Sequence, residues 1–267
     1  MGIGGVPRSI KRFAFRHKFN RTKTSRLPFF PAKKTRSVSF QLIPISLLLC
    51  TLCFMRYFVK TPWWLKKVYS SYIWSIDSKE KAIYLSFDDG PHAEVTAFVL
   101  NELKKYDAKA SFFCIGKNVL AEPQMYRRIL DEGHAVGNHT QNHLNGWKTK
   151  DDVYLADVRE AGKYIDSNLF RPPYGRITSF QARNIKQALK KDDVKIIMWD
   201  VISGDFDQTL TAEKCLHHVI LNAKKGSIVV MHDSEKAFPR LKIFLPQVLD
   251  FFANQQFQFK KIEHIAT

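Results

Sequence analysis

The chain has 267 residues, more than one typical domain and few for two, which suits one domain of catalytic size with extras. It is 45% hydrophobic, 13% aromatic and 25% charged, a composition that excludes disorder throughout, collagen and multi-span membrane classes. The formal charge of +17 sits at one end: residues 1–76 hold 15 Lys/Arg and no acid, and the remaining 27 bases face 25 acids. A folded nucleic-acid binder carries its positive stripe on the domain, so nucleic acid is excluded as a partner.

Residues 1–36 are basic, rich in Ser, Thr, Phe and Pro, and lack apolar periodicity, which predicts a disordered tail. Residues 40–55 are almost wholly apolar. Continued past Arg56 through Tyr57, Phe58 and Val59, they form a segment (40–59) of about 20 residues, a single transmembrane anchor if Arg56 snorkels. Eleven bases precede the apolar run 40–55 and four follow it (Arg56, Lys60, Lys66, Lys67), which puts the N-terminus in the cytoplasm and the rest outside. Pro44, Gln41 and Arg56 weaken the span, and a chain starting at Met55 would be soluble. In the linker 60–80, Trp63, Trp64, Tyr69, Tyr72 and Trp74 either make an interfacial aromatic belt or pack against the domain. Cys50 and Cys53 lie within the apolar run and read as membrane-embedded thiols. Cys114 and Cys215 read as small core residues.

Over 81–265, strand and helix signals alternate. A buried strand at 82–87 is stopped by Asp88-Asp89-Gly90-Pro91, and a helical pattern follows through Val95, Phe98, Val99 and Leu103. Next come a strand near 109–115, a helix near 122–132, a short strand at 134–138, and a helix at 151–167 that Asp151 or Asp152 would cap. Beyond Arg171-Pro172-Pro173 lie a helix near 178–190, a strand at 194–199 and a helix at 211–223. A strand at 227–231, a helix near 240–253 and a strand near 257–262 end the series. About seven strands alternating with helices indicate an α/β protein with a mostly parallel sheet, open or closed into a barrel.

In such a fold the loops leaving the strands' carboxyl ends gather on one face, where sites are built. Five exits carry polar clusters: Asp88-Asp89, His139 to His143, Arg171 to Gly175, Asp200 with Asp205, and His232-Asp233. Each alone is weak, since paired aspartates before Gly-Pro are usually a turn and Arg-Pro-Pro is usually a rigid loop. The i, i+4 spacing of His139 and His143 sets both imidazoles on one side of a helical turn. Their joint occurrence on one rim is the informative feature. His17, His92, His134, His217, His218 and His264 match no motif and read as surface or core residues.

Phe87-Asp88-Asp89-Gly90-Pro91, His139-Thr140-x-x-His143, Arg171-Pro172-Pro173-Tyr174-Gly175, Asp205-Phe206 and Val230-Met231-His232-Asp233 stand in the order of a known family's motifs. Across about 82–262 the chain resembles the polysaccharide deacetylases, the NodB-homology group or carbohydrate esterase family four. Ser111 to Gly116 is similar to that family's second strand. The resemblance implies a distorted (β/α) barrel of about seven mostly parallel strands. It also implies a divalent metal, with zinc favoured and cobalt or nickel able to replace it, held by Asp89, His139 and His143. Asp88 would be the general base acting on water, with Arg171 beside it as its cationic partner. The backbone N–H of Tyr174 would bind the oxyanion. His232 would be the general acid, oriented by Asp205. Pro173, Tyr174, Phe206 and Val230 would line the substrate groove.

Departures from the family pattern fall in the last two motifs. Phe206 replaces the usual Trp, Ile202 replaces an acid, and Val230-Met231 replaces leucines beside the acetyl methyl. Asp200 is an extra carboxylate without an assigned role. The function implied is removal of N-acetyl groups from an N-acetylated sugar or polysaccharide by activated water. The absence of a G-x-S-x-G nucleophile elbow agrees with that. The alternatives are a same-fold amidase or esterase acting on a lipid-linked or non-polymeric substrate, and a non-catalytic glycan-binding module.

Overall fold

The computed structural model describes residues 57–263. The tail over 1–36, Cys50 and Cys53 lie outside the described residues, as does the anchor segment up to Arg56. Among the described residues no helix is long and apolar enough to cross a membrane.

The elements in order are α1 (Trp63–Val68), β1 (Ala82–Asp88), α2 (Ala93–Lys104), β2 (Ser111–Cys114), α3 (Gly116–Ala121), α4 (Pro123–Asp131) and β3 (Ala135–Asn138). Then follow α5 (Asp151–Ala161), β4 (Leu169–Phe170), α6 (Ser179–Leu189), β5 (Lys195–Ile196), β6 (Val201–Ile202), α7 (Ala212–Ile220), β7 (Ile228–His232), α8 (Phe238–Asn254) and β8 (Gln258–Phe259). The strands pair in the order β5-β4-β3-β2-β1-β7-β6, with β8 also on β1, and every strand pairing is parallel. The α/β alternation is as expected, and the barrel is open: β5 and β6 end the order without pairing to each other.

β1 explains why the site sits where it does. All seven of its residues are buried, as a parallel strand covered on both faces requires. Ile83, Leu85 and Phe87 alternate into a core shared with Val95, Val99 and Leu103 of α2 and Phe244, Val248 and Phe252 of α8. Ser86 and Asp88 therefore face the barrel interior. On β7 the same alternation sends Val229 and Met231 to the helical core, and leaves Val230 and His232 level with Ser86 and Asp88. Met231 is thus not in the acetyl pocket to which its motif pointed, because adjacent strand residues face opposite layers.

Three local expectations change. β4 and β6 are two-residue strands too short to leave a periodic pattern, and α3 is a six-residue helix that the sequence did not mark. Neither Asp151 nor Asp152 caps α5, whose N-cap is Lys150; Asp151 instead accepts hydrogen bonds from Gln181 Nε2 (2.8 Å) and Thr178 Oγ1 (3.1 Å). The 139–143 segment is not helical: Thr140 and His143 have φ of 64° and 57°, so a loop carries the two imidazoles.

The segment before β1 lies on the open edges. The Val59 carbonyl accepts from Ile202 N–H (2.9 Å), and Thr61 N–H donates to the Asp200 carbonyl (2.9 Å), antiparallel to β6. Ile73 bridges Ile197 beside β5. Tyr57, Phe58 and Val59 are therefore not the end of a membrane helix. Trp74 is buried against the domain and Tyr72 packs beside it, whereas Trp63 and Trp64 remain exposed.

Candidate active site

β1 ends in Asp88, and the next residue, Asp89, turns out of the strand with φ 82°. That left-handed conformation costs a non-glycine residue about 1–3 kcal/mol, and the surrounding bonds hold it. Gly90 N–H donates to Asp233 Oδ1 (3.0 Å), and Thr96 Oγ1 donates to Asp233 Oδ2 (2.5 Å). A Cβ on Gly90 would meet Asp233 Oδ2 at 2.1 Å, so only glycine fits this close approach. Asp233 locks this turn, and its place directly after His232 in the motif is the sequence signal for it.

The imidazoles come from the loop after β3. Asp157 of α5 accepts the N–H groups of Gln141 (2.9 Å) and Asn142 (3.0 Å), and Asn138 Oδ1 accepts Thr140 N–H (2.9 Å). Nothing in the spacing of Asp157 could have marked it. With the loop held, Asp89 Oδ1 lies 3.2 Å from His143 Nε2 and 3.8 Å from His139 Nε2. The candidate ligand atoms of these three residues lie within 4.8 Å of one another.

This donor set fits a divalent cation. His139 Nδ1 donates to the Arg171 carbonyl (2.7 Å), which fixes the tautomer and leaves the Nε2 lone pair aimed at Asp89. Burial lowers the His139 pKa to about 4, against the pull of Asp88, so the ring is neutral at pH 7. Asp89 Oδ1 is buried and meets only the His143 and His139 ring nitrogens, an arrangement that a cation among them would satisfy. Burial opposes the Asp89 charge, but His143 and the neighbouring imidazoles hold its carboxyl well below the usual range.

Base and acid candidates flank the cluster on adjacent strands, with Asp88 and His232 in register across β1 and β7. Arg171, wholly buried, donates to Asp88 Oδ1 (2.6 Å), Ser86 Oγ (2.9 Å), the Ile197 carbonyl (3.1 Å) and the Met198 carbonyl (3.1 Å). Its guanidinium also lies over the Phe113 ring, 3.9 Å from the centroid. Among the described residues no donor reaches the second oxygen of Asp88.

His232 Nδ1 bonds Asp205 Oδ1 (2.7 Å), and Asp205 Oδ2 accepts His232 N–H (2.8 Å). Burial opposes the imidazolium, but the Asp205 charge and hydrogen bond outweigh it and raise the His232 pKa to about 9. His232 is thus protonated at neutral pH, with Nδ1–H on Asp205 and Nε2–H left for the site.

The groove candidates divide by exposure. Tyr174 sits at φ 60° with its side chain 60% exposed and its ring 4.6 Å from the His143 ring. Its backbone N–H has no acceptor among the described residues. Phe206 is half-buried, its ring 5.2 Å from that of His232. Pro173 and Val230 are buried, so they shape the wall from behind. Cys114 and Cys215 are free and buried, as expected of core residues. Of the unassigned histidines, His92 caps α2, His134 Nδ1 accepts Ala110 N–H and His218 bonds the Ser203 carbonyl; His17 and His264 lie outside the described residues.

Asp200 is not part of this site. It is 1% exposed and bonds Lys60 Nζ (2.5 Å), Lys66 Nζ and Ser227 Oγ (2.5 Å), all away from the Asp89 cluster.

The family model for polysaccharide deacetylases matches residues 75–197. The peptidoglycan-N-acetylglucosamine deacetylase of Bacillus cereus is 31% identical over 198 residues, covering 72% of this chain and 91% of that protein. The chitooligosaccharide deacetylase of Azorhizobium caulinodans is 30% identical over 165 residues, covering 59% of this chain and 76% of that protein. The solved peptidoglycan deacetylase PdaC of Bacillus subtilis superposes with a TM-score of 0.61 at 26% identity, covering 70% of this chain and 90% of the other. The chain belongs to the polysaccharide deacetylase family. It is accordingly an enzyme, a hydrolase of the carbohydrate deacetylases.

Proposed function

We propose that the chain removes N-acetyl groups from N-acetylglucosamine units of a glycan, with peptidoglycan as the leading substrate class and chitin-like oligosaccharide as the second. The observation that carries this reading is the juxtaposition of three features. The Asp89–His139–His143 cluster is joined by a carboxylate held by Arg171 and an imidazole held by Asp205, in register on adjacent strands. The activities of the Bacillus cereus and Azorhizobium caulinodans relatives support the choice of substrate.

A divalent cation on Asp89, His139 and His143, most suitably zinc, would supply Lewis acidity to the amide oxygen and the attacking water. Asp88 takes the proton from that water with its unbonded oxygen, while Arg171 keeps the carboxylate in place. As the carbonyl carbon becomes tetrahedral, the Tyr174 N–H donates to the developing oxyanion. His232 gives its Nε2 proton to the leaving nitrogen, the C–N bond breaks, and acetate and the sugar amine depart. The complete pairing of base and acid argues against a non-catalytic module. The charge asymmetry around the apolar run 40–55 supports a catalytic domain outside the membrane with its N-terminus in the cytoplasm.

Acetate release from N-acetylglucosamine oligomers and from peptidoglycan, with and without chelator, tests the reading. The expected result is release that chelator abolishes and zinc, cobalt or nickel restores. His139→Ala should contain less than a tenth of the wild type's metal, on the order of the loss from removing one ligand. Full activity in metal-free protein, or activity on acylated lipids but not sugars, would overturn it.

A further inference from the structure

The strap before β1 carries a feature that the family match, over 75–197, does not contain. Val59 lies beside Ile202 at the carboxyl end of β6, and the strap runs antiparallel to that strand. Continuing toward the N-terminus, the chain therefore rises to the active-site face, and Tyr57 arrives at its rim. The Tyr57 ring packs on Phe206 with centroids 5.1 Å apart, and Phe206 in turn packs edge-on against His232. Gly204, at φ 81°, makes room for this contact: a Cβ there would meet the Tyr57 hydroxyl at 2.7 Å and the His218 ring at 3.3 Å.

Asp200 holds the strap in place. Its carboxylate is enclosed by Lys60, Lys66 and Ser227, Lys60 Nζ also bonds the Asn222 carbonyl (2.7 Å), and Thr61 Oγ1 bonds the Trp199 carbonyl (2.7 Å). A buried carboxylate with its oxygens engaged by two lysines and a serine fixes the strap's register on β6. The register decides which side chain reaches Phe206.

We propose that Tyr57 is a positioning residue for the glycan groove: it backs Phe206, so that the two tilted rings together form an aromatic wall on the leaving-amine side. This rests on the deacetylase reading, since His232 is the acid beside which the sugar must lie. Among the described residues the half-buried Phe206 ring meets two others, the His232 imidazole edge-on and the Tyr57 ring tilted at 57°, so Tyr57 is the neighbour that holds it against His232.

The test compares Tyr57→Ala and Tyr57→Phe with the full chain on N-acetylglucosamine tetramer, alongside the His232 ring-proton resonances in metal-free protein. Tyr57→Ala should raise KM about tenfold with kcat within about twofold, the size expected for one aromatic contact. Tyr57→Phe should restore the wild-type KM, because the ring and not the hydroxyl does the positioning. In Tyr57→Ala the His232 resonances should shift as Phe206 moves. If Tyr57→Ala does not fold, Tyr57→Leu, which fills the space without a ring, is read the same way. An unchanged KM, or unmoved His232 resonances, overturns the proposal. Shifted resonances in a chain that deacetylates none of the sugars would leave Tyr57's role standing and remove the deacetylase reading.

Discussion

Asp88 and Asp200 are both buried carboxylates at strand ends, Asp88 at the exit of β1 and Asp200 at the entry of β6, and both are neutralised by cations, yet their surroundings give them opposite uses. Asp88 shares one oxygen with Arg171 and has no donor among the described residues on the other. Asp200 has its oxygens engaged by Lys60, Lys66 and Ser227 and nothing left for a substrate. The cations differ too. Arg171 is wholly buried, holds four groups at once and cannot move, whereas the two lysines are part-exposed and come from a strap at the sheet edge. A buried carboxylate is available for catalysis only where its partner leaves a lone pair unspent.

The largest effect that could break this comparison is on turnover. Asp88→Asn should cut acetate release about a thousandfold, the usual scale for losing a general base, while metal content stays at the wild-type level. Activity within tenfold of wild type would move the base elsewhere.

Next in size is the pH dependence. The His232 proton is retained up to about pH 9, so activity should persist through neutrality and fall as the pH rises through that value. Asp205→Asn removes the anion that raises this pKa, so the alkaline limb should move to lower pH. A limb that stays put would assign it to a different group.

The smallest effect belongs to the structural carboxylate. Asp200→Asn should cost roughly 1–3 kcal/mol of stability, below the full penalty for a broken buried pair because the lysines are part-exposed. Its kcat should stay within about twofold of wild type. Burial opposes the Asp200 charge, but Lys60, Lys66 and Ser227 hold its pKa below the usual range. The contribution is therefore present at neutral pH and lost as pH falls through the folded pKa, so acid unfolding of wild type and variant should converge. A neutral-pH melting curve identical to wild type would remove the clamp from the account.

Much of the site was legible because its residues sit at strand exits in motifs of fixed order. Asp88, Asp89, His139, His143, Arg171, Tyr174, Asp205 and His232 all come together on one face. What was misread followed from local rules that tertiary contacts overrode. The imidazole spacing suggested a helical turn, but Asp157 and Asn138 hold a loop with left-handed residues. Asp151 looked like a cap and became an acceptor for Gln181 and Thr178.

The amino-acid sequence alone determined the α/β alternation, the burial of β1 and the grouping of the candidate site residues in ordered motifs, because periodicity and motif order are properties of the chain itself. Only the tertiary structure decided that the barrel is open, that the stretch from Tyr57 to Ile73 lies on its two open edges, and that Asp200 serves that strap and not the chemistry. These depend on partners such as Lys60 and Asp200, 140 residues apart. No spacing rule connects residues that far apart; burial and charge do so when the sheet leaves two edges to cover.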